Sequence, residues 1–259
     1  MQSCNNLKQI GLAMHQHNDA KGKLPGVDDV LQDVIPYYSF LAQLVPYIES
    51  EPQPDHSRPP VTEDDFYQLA PFRKTFISPG DPTIASARRL AAPASYGLNM
   101  TALERWPNLD SGFPDGTSNT IAAVERYHQS YNNMGAQGPA GVACTYDDGG
   151  TGYDVRERIW HYGGRRRASF ADRGFREEVM PVALTVNGVP VTRPSVPGHT
   201  FQVRPKPDDA WSGVPQTPFS AGLPTLLFDG SVRTLSPSID TTLFWGAVTR
   251  DKGEVLTDW

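Results

Sequence analysis

Over the first two dozen residues the apolar positions repeat at helical spacing. Leu7, Ile10 and Met14 fall at i, i+3 and i+7 and form one stripe, with Gly11 beside it where a second backbone can come close. The end of this helix is well marked. Lys21, Gly22 and Lys23 precede Pro25, and cations followed by a glycine suit a helix C-terminus. The start is less settled. Ser3, Asn5 or Asn6 can cap it, but no Glu or Gln completes a capping box after Ser3, and Lys8 would sit at the wrong end of the helix dipole. A helix that continues upstream of Met1 is slightly preferred on these grounds. A second helical pattern, "YYSFLAQLVPYI", carries Phe40, Leu41, Leu44 and Val45 on one side, and Pro46 ends or kinks it.

Shorter patterns follow. After the Pro-rich, charged residues 50–62, "DDFYQLAPF" reads as a short helix. A strand is expected at Thr75–Ile77, stopped by Pro79-Gly80, with further strands in "ASYGLNMTAL" and "NTIAAVE". From 126 to 215 Gly and Pro crowd the chain. There Val182–Val186 and Val189–Thr192 flank Asn187-Gly188, a hairpin signal. "LPTLLFDGSVRTL" predicts two strands around Asp229-Gly230, and "SIDTTLFWGAVT" a short helix burying Leu243, Phe244 and Ala247. A helix with a single apolar stripe must bury it against another layer. The expected fold class is therefore α+β: an N-terminal helix packed on an antiparallel β-sheet, within one domain over 1–259, carrying a loop-rich insertion at 126–215.

Composition and charge narrow the function. The 259 residues carry a formal net charge of −6, and the one dense basic cluster, Arg165, Arg166 and Arg167, reads as a solvated loop. This balance speaks against nucleic-acid binding through a basic face. No apolar run reaches membrane-spanning length and no signal peptide is visible. Cys4 and Cys144 are too few for a disulfide scaffold or a zinc cage; a single bond between them is left open for an oxidising compartment.

Several segments lie in a shared order that resembles the bacterial domain-of-unknown-function family 1559. They are "CNNLKQIGLAMHQHNDAKGKLPG", "FLAQLVPYIE", "FISPGDP", "SYGLNM", "FPDGTSNTIAAVE" and "LLFDGSVRTLSPSID" followed by "GE". Together they span most of 1–125 and 215–259. The resemblance implies a pseudopilin-like protein whose prepilin-type N-terminus, with a cleaved leader and a long apolar helix, runs directly into "NNLKQIGLA". On that reading residues 1–24 are the C-terminal half of a pilin helix and Met1 is an internal position. The full-length protein would then be membrane-anchored and extracytoplasmic or at the cell surface. It would meet other pilin-like subunits, and the membrane, through the upstream segment. Three departures stand out. Phe219 occupies the place of a family His ahead of Asp229-Gly230, Ser78 replaces a family Cys, and Cys4 directly precedes Asn5 without the usual spacer.

Candidate chemistry is sparse. The chain has no G-x-S-x-G elbow, H-E-x-x-H, P-loop or G-x-G-x-x-G, so no enzyme activity and no cofactor are expected. "PDGTSNT" places Asp115 and Asn119 where oxygen ligands can suit calcium, but a self-bonded Asx turn accounts for it better because no bidentate carboxylate follows at the right offset. "YDDGGTGYD", with Asp147, Asp148 and Asp154, is the second calcium candidate, against a plain Gly-rich loop. "FDGS" and "SPGDP" read as turns. His15 and His17 point roughly 200° apart on a helix, so they cannot grip one ion and read as partly exposed polar residues. Trp160, His161 and Tyr162 can stack a sugar, though sheet packing explains them better. Glu125 ends a strand and invites a buried pair with an Arg, but the adjacent Arg126 faces the other way. The favoured reading is a non-catalytic, surface-exposed structural subunit. The alternative is an extracytoplasmic module that binds glycan or calcium through 126–215.

Overall fold

The structure, a computed structural model, describes residues 1–25, 40–48, 73–84, 94–103, 107–131, 200–210 and 215–251, together with short strands between 141 and 191. The first helix, α1 (Gln2–Lys21), is twenty residues long and buries Leu7, Ile10, Gly11, Ala13 and Met14 along one side. Its C-terminus closes as the sequence predicts. Gly22 takes the left-handed conformation, φ 71°, and its N–H donates to the Asn18 carbonyl. No side chain caps its N-terminus. The hydroxyl of Ser3, one of the three candidate caps, is instead turned into the protein (below). α2 (Phe40–Leu44) passes into a 3-10 turn at Val45–Tyr47 that holds Pro46 in its first turn, where the lost N–H costs nothing. Leu41, Leu44 and Val45 are buried against α1.

The strands are β1 (Tyr96–Asn99), β2 (Ile121–Glu125), β3 (Gln129–Tyr131), β4 (Gly141–Ala143), β5 (Tyr153–Asp154), β6 (Ile159–Trp160), β7 (Ser169–Ala171), β8 (Leu184–Val186), β9 (Val189–Val191), β10 (Gln202–Val203), β11 (Gln216–Thr217), β12 (Leu223–Leu227) and β13 (Val232–Leu235). The central sheet has five strands in the order β13-β12-β2-β1-β7. Four of them are antiparallel neighbours, but β7 joins β1 in parallel, so the sheet is mixed rather than the antiparallel sheet expected. A parallel neighbour needs a long crossover, and short-range pattern does not register one. The outermost strand, β13, shows Arg233 and Thr234 to solvent. Among the remaining strands, β8 and β9 pair with Val186 opposite Val189, as a hairpin at Asn187-Gly188 would give; those two residues lie outside the described ones.

A register shift lets this sheet serve two cores. Leu226 lies opposite Ala123, while the next residue, Leu227, lies opposite Ile121, so Ala122 is the extra residue of a bulge. Ahead of it, Ile121 joins Leu223, Leu227 and Phe170 in a cluster with Phe244 of the short helix Thr241–Gly246. Beyond it, Ala123 joins Leu98, Tyr96 and Leu226 in the cluster with α1. Glu125, two residues further, keeps that orientation and points to the α1 side. The bulge thus decides which way the last residue of β2 faces.

Other expectations resolve locally. "LPTLLFDGSVRTL" forms β12 and β13 around a Gly230 with φ 83°. Asp240 caps the last helix by accepting from the Thr242 and Leu243 N–H groups; Phe244 and Ala247 are buried, whereas Leu243 is only half-buried. Thr75–Ile77 is not a strand. Lys74–Phe76 winds into a 3-10 turn between the extended Arg73 and Ile77, which buries Phe76, and the Ile77 carbonyl is taken by the Asn6 side chain.

A buried carboxylate cluster as the candidate functional site

The described residues that gather the most polar chemistry surround Glu125. Its side chain is fully buried. Three hydroxyls from three distant segments donate to it: Ser3 of α1 to Oε1 at 2.9 Å, Ser78 also to Oε1, and Thr217 of β11 to Oε2 at 2.9 Å. Because Ser3 spends its one proton on Glu125, the Tyr96 hydroxyl 3.2 Å away must donate to Ser3, and Tyr96 in turn accepts from Asn6 Nδ2 at 3.1 Å. A directed chain therefore runs from Asn6 through Tyr96 and Ser3 to the carboxylate. Burial pushes the Glu125 pKa up to about 7, partly offset by the Ser78, Ser3 and Thr217 hydroxyls and reinforced by the negative charge of Asp81. Burial likewise raises Tyr96 above its ordinary value.

Asp81 is the second carboxylate. Its Oδ1 accepts from the Thr83 N–H at 2.8 Å and hydroxyl at 2.6 Å, an Asx turn that runs on from the turn read in "SPGDP". Its Oδ2 accepts from the Ser95 hydroxyl and the His128 N–H, both at 2.7 Å. The segment 78–81 also packs tightly on 217–219: a Cβ on Gly80 would stand 2.7 Å from Pro218 Cγ and 3.1 Å from Phe219 Cζ. Phe219 thus closes against the loop that carries both Ser78 and Asp81.

The sequence-based candidates lie elsewhere. Asn119 Nδ2 donates to the Asp115 carbonyl at 3.0 Å and the Thr120 hydroxyl to the Gly116 carbonyl at 3.0 Å, so "PDGTSNT" is a turn bonded to itself. It docks on the "FDGS" turn, whose Phe228 and Asp229 N–H groups donate to the Thr120 and Thr117 carbonyls. Asp147 and Asp148 lie outside the described residues, as do His161, Tyr162, Cys144 and Arg165–Arg167; Asp154 is placed in β5 opposite Ile159 by its backbone. Among the described residues no three His, Cys, Asp or Glu side chains converge as a metal site needs. His15 and His17 do part company. His15 Nε2 donates to the Phe228 carbonyl at 2.9 Å, and His17 Nδ1 to the Lys23 carbonyl at 3.0 Å. His17 is buried rather than partly exposed, edge-on to Tyr47 at 5.6 Å, and burial lowers its pKa. Cys4 is half-buried with a free thiol.

Sequence reasoning places Glu125 at a strand end, weighs a buried pair with an Arg and leaves its partner open; its partners here are hydroxyls. Ser3, Ser78, Asp81, Tyr96 and Thr217 were not recognised as a group. The visible signal was a run of small hydroxyl residues within otherwise apolar or turn-forming segments, which does not reveal a shared partner.

Comparison with known proteins agrees with the resemblance. Residues 1–108 match the model of the family described as a protein of unknown function, DUF1559. The match covers α1, α2, the 73–84 loop and β1, and so contributes Ser3, Asn6, Ser78, Asp81 and Tyr96 to the cluster. No curated protein and no solved structure matches the chain.

Proposed function

We propose that this chain is a non-catalytic, pilin-like structural subunit, displayed outside the cytoplasm and joined to a membrane or filament through an apolar segment of the kind that precedes this stretch in similar proteins. The observation that supports it is how α1 is used. Its apolar stripe is spent within its own domain, against β12, β13, β2, α2 and the turns at Val45–Tyr47 and Lys74–Phe76, while Asn5, Lys8, Gln9 and Asp19, with Leu12 among them, are left exposed on the far side. A stalk helix laid on a β-layer has this division: one face joins it to its own domain, and association with other subunits falls to the apolar part further upstream. The Glu125 cluster fits the same reading. Its carboxylate is inaccessible to solvent and surrounded by the chain's own hydroxyls, which suits a fastening better than a site for an external reactant. Among the described residues no helix is long and apolar enough to cross a membrane.

The test is location and processing in the producing cell. Fractionation with an antibody to this domain should find it in the membrane or sheared-surface fraction, at a mass that increases when prepilin peptidase is deleted. Recovery in the cytosol at an unchanged mass would overturn the reading.

A further inference from the structure

The strongest unexplained feature is the position of the two carboxylates at the root of the 126–215 segment. Where it begins, the Arg126 N–H donates to the Ser95 carbonyl at 2.9 Å and the His128 N–H to Asp81. Where it returns, Thr217 donates to Glu125. The 78–81 loop touches both ends, through Ser78 on Glu125 and Asp81 on His128 at the start, and through Gly80 packed on Pro218 and Phe219 at the return.

Thr217 is the informative residue. Its hydroxyl carries one proton but faces two acceptors, Glu125 Oε2 at 2.9 Å and the Gly222 carbonyl at 3.1 Å, and it also accepts from the Phe219 N–H at 3.2 Å. With Glu125 ionised, the proton goes to the carboxylate and Gly222 loses this donor. With Glu125 protonated on Oε2, the carboxyl O–H donates to Thr217, the Thr217 proton goes to Gly222, and Ser3 and Ser78 still donate to Oε1. Every group then has its bond without any heavy atom moving.

We infer that Glu125 and Thr217 form a proton-operated clasp at the root of the 126–215 segment, in which protonation of the carboxyl swings the Thr217 hydroxyl proton from Glu125 to the Gly222 carbonyl and closes a further bond within the returning strand. The proton comes from solvent and returns to it; no bond between heavy atoms forms or breaks. The titratable groups that act on Glu125 are Asp81 from the loop, Tyr96 from β1 and Tyr127 beyond β2. Of these, the Asp81 charge favours the protonated form of Glu125.

The sign follows from linkage. A carboxyl whose folded pKa lies above its unfolded value contributes stability that is fully present below the unfolded value, about 4.5, and is lost as pH rises through the folded value, about 7. The buried His17, shifted down, works in the opposite sense below its ordinary value, so the contribution of Glu125 must be read as a difference. The experiment measures denaturant unfolding of the whole chain across this range for wild type and Glu125→Gln, with carbon-13 NMR titration of the glutamate carboxyls in wild type and Thr217→Val. Wild-type stability relative to Glu125→Gln should fall as pH rises through about 7. One carboxyl should titrate near neutrality, and Thr217→Val should move that titration to higher pH, because the ionised form loses a donor. A threonine that merely fills space would leave the titration midpoint unmoved. If Glu125→Gln does not fold, the two titrations decide alone. The inference is overturned if every glutamate titrates in the ordinary carboxylate range, or if Thr217→Val leaves the midpoint where it was.

Discussion

α1 is fastened to the sheet in two different ways along its length. At its middle the attachment is apolar and close: a Cβ on Gly11 would lie 2.8 Å from Leu226 Cδ1 and 3.5 Å from the Gly230 Cα. At its first turns the attachment is polar, through Ser3 and Asn6 to Glu125, Tyr96 and the Ile77 carbonyl. The apolar seam is insensitive to pH and holds wherever surface is kept from water. The polar seam holds only while each donor has its acceptor, and the charge on one buried group sets its strength. The same helix thus has a permanent attachment and a conditional one.

The largest effect should come from the permanent seam. Leu226→Ala empties a fully buried site beneath Gly11 and should cost about 2–5 kcal/mol, by the same amount at pH 5.5 and pH 8, in denaturant unfolding. A marked pH dependence there would erase the distinction between the seams. Ser3→Ala should cost about 1.5–3 kcal/mol at pH 8, where Glu125 is ionised and the bond is charge-assisted, and clearly less at pH 5.5, where it is neutral. An equal loss at both values would mean that the carboxyl does not change state in the fold. Asn119→Ala, in a turn remote from both seams, should lose only about 1 kcal/mol with no pH dependence and no effect of added calcium on the unfolding midpoint. A calcium-dependent rise in that midpoint in the wild type, lost in the variant, would restore the cation reading of Asp115 and Asn119. Gly11→Ala should be the smallest: the gain in helix propensity, about 1 kcal/mol, opposes a contact that a flexible Leu226 methyl can relieve by moving a few tenths of an ångström. A loss several times larger would show that the approach of helix to sheet cannot relax.

What could be read beforehand was local. The stop at Lys21-Gly22, the hairpin at Asp229-Gly230 and the self-bonded turn at 115–120 rest on residues within a few positions of one another, where backbone geometry and side-chain chemistry act directly. The Glu125 cluster could not be read in this way. Its donors stand 122, 47 and 92 residues away along the chain, and a serine has no pattern that names its acceptor. Thr75–Ile77 was misread because Phe76 and Ile77 make a strand-like apolar pair; the carbonyl that a ladder would use is taken by Asn6, and the chain tightens around Phe76 instead. The parallel partner of β1 and the bulge at Ala122 are tertiary choices, and the bulge alone determines that Glu125 faces α1.

The outer strand β13 has one further consequence. Its solvent-facing residues include a cation, Arg233, beside Thr234, and the strand is only four residues long. A second copy laying its own β13 alongside would bring Arg233 near Arg233 over a strand of only four residues, which discourages sheet-to-sheet polymerisation. Crowded together at high density, copies of this domain are therefore protected from amyloid-like growth on this flank.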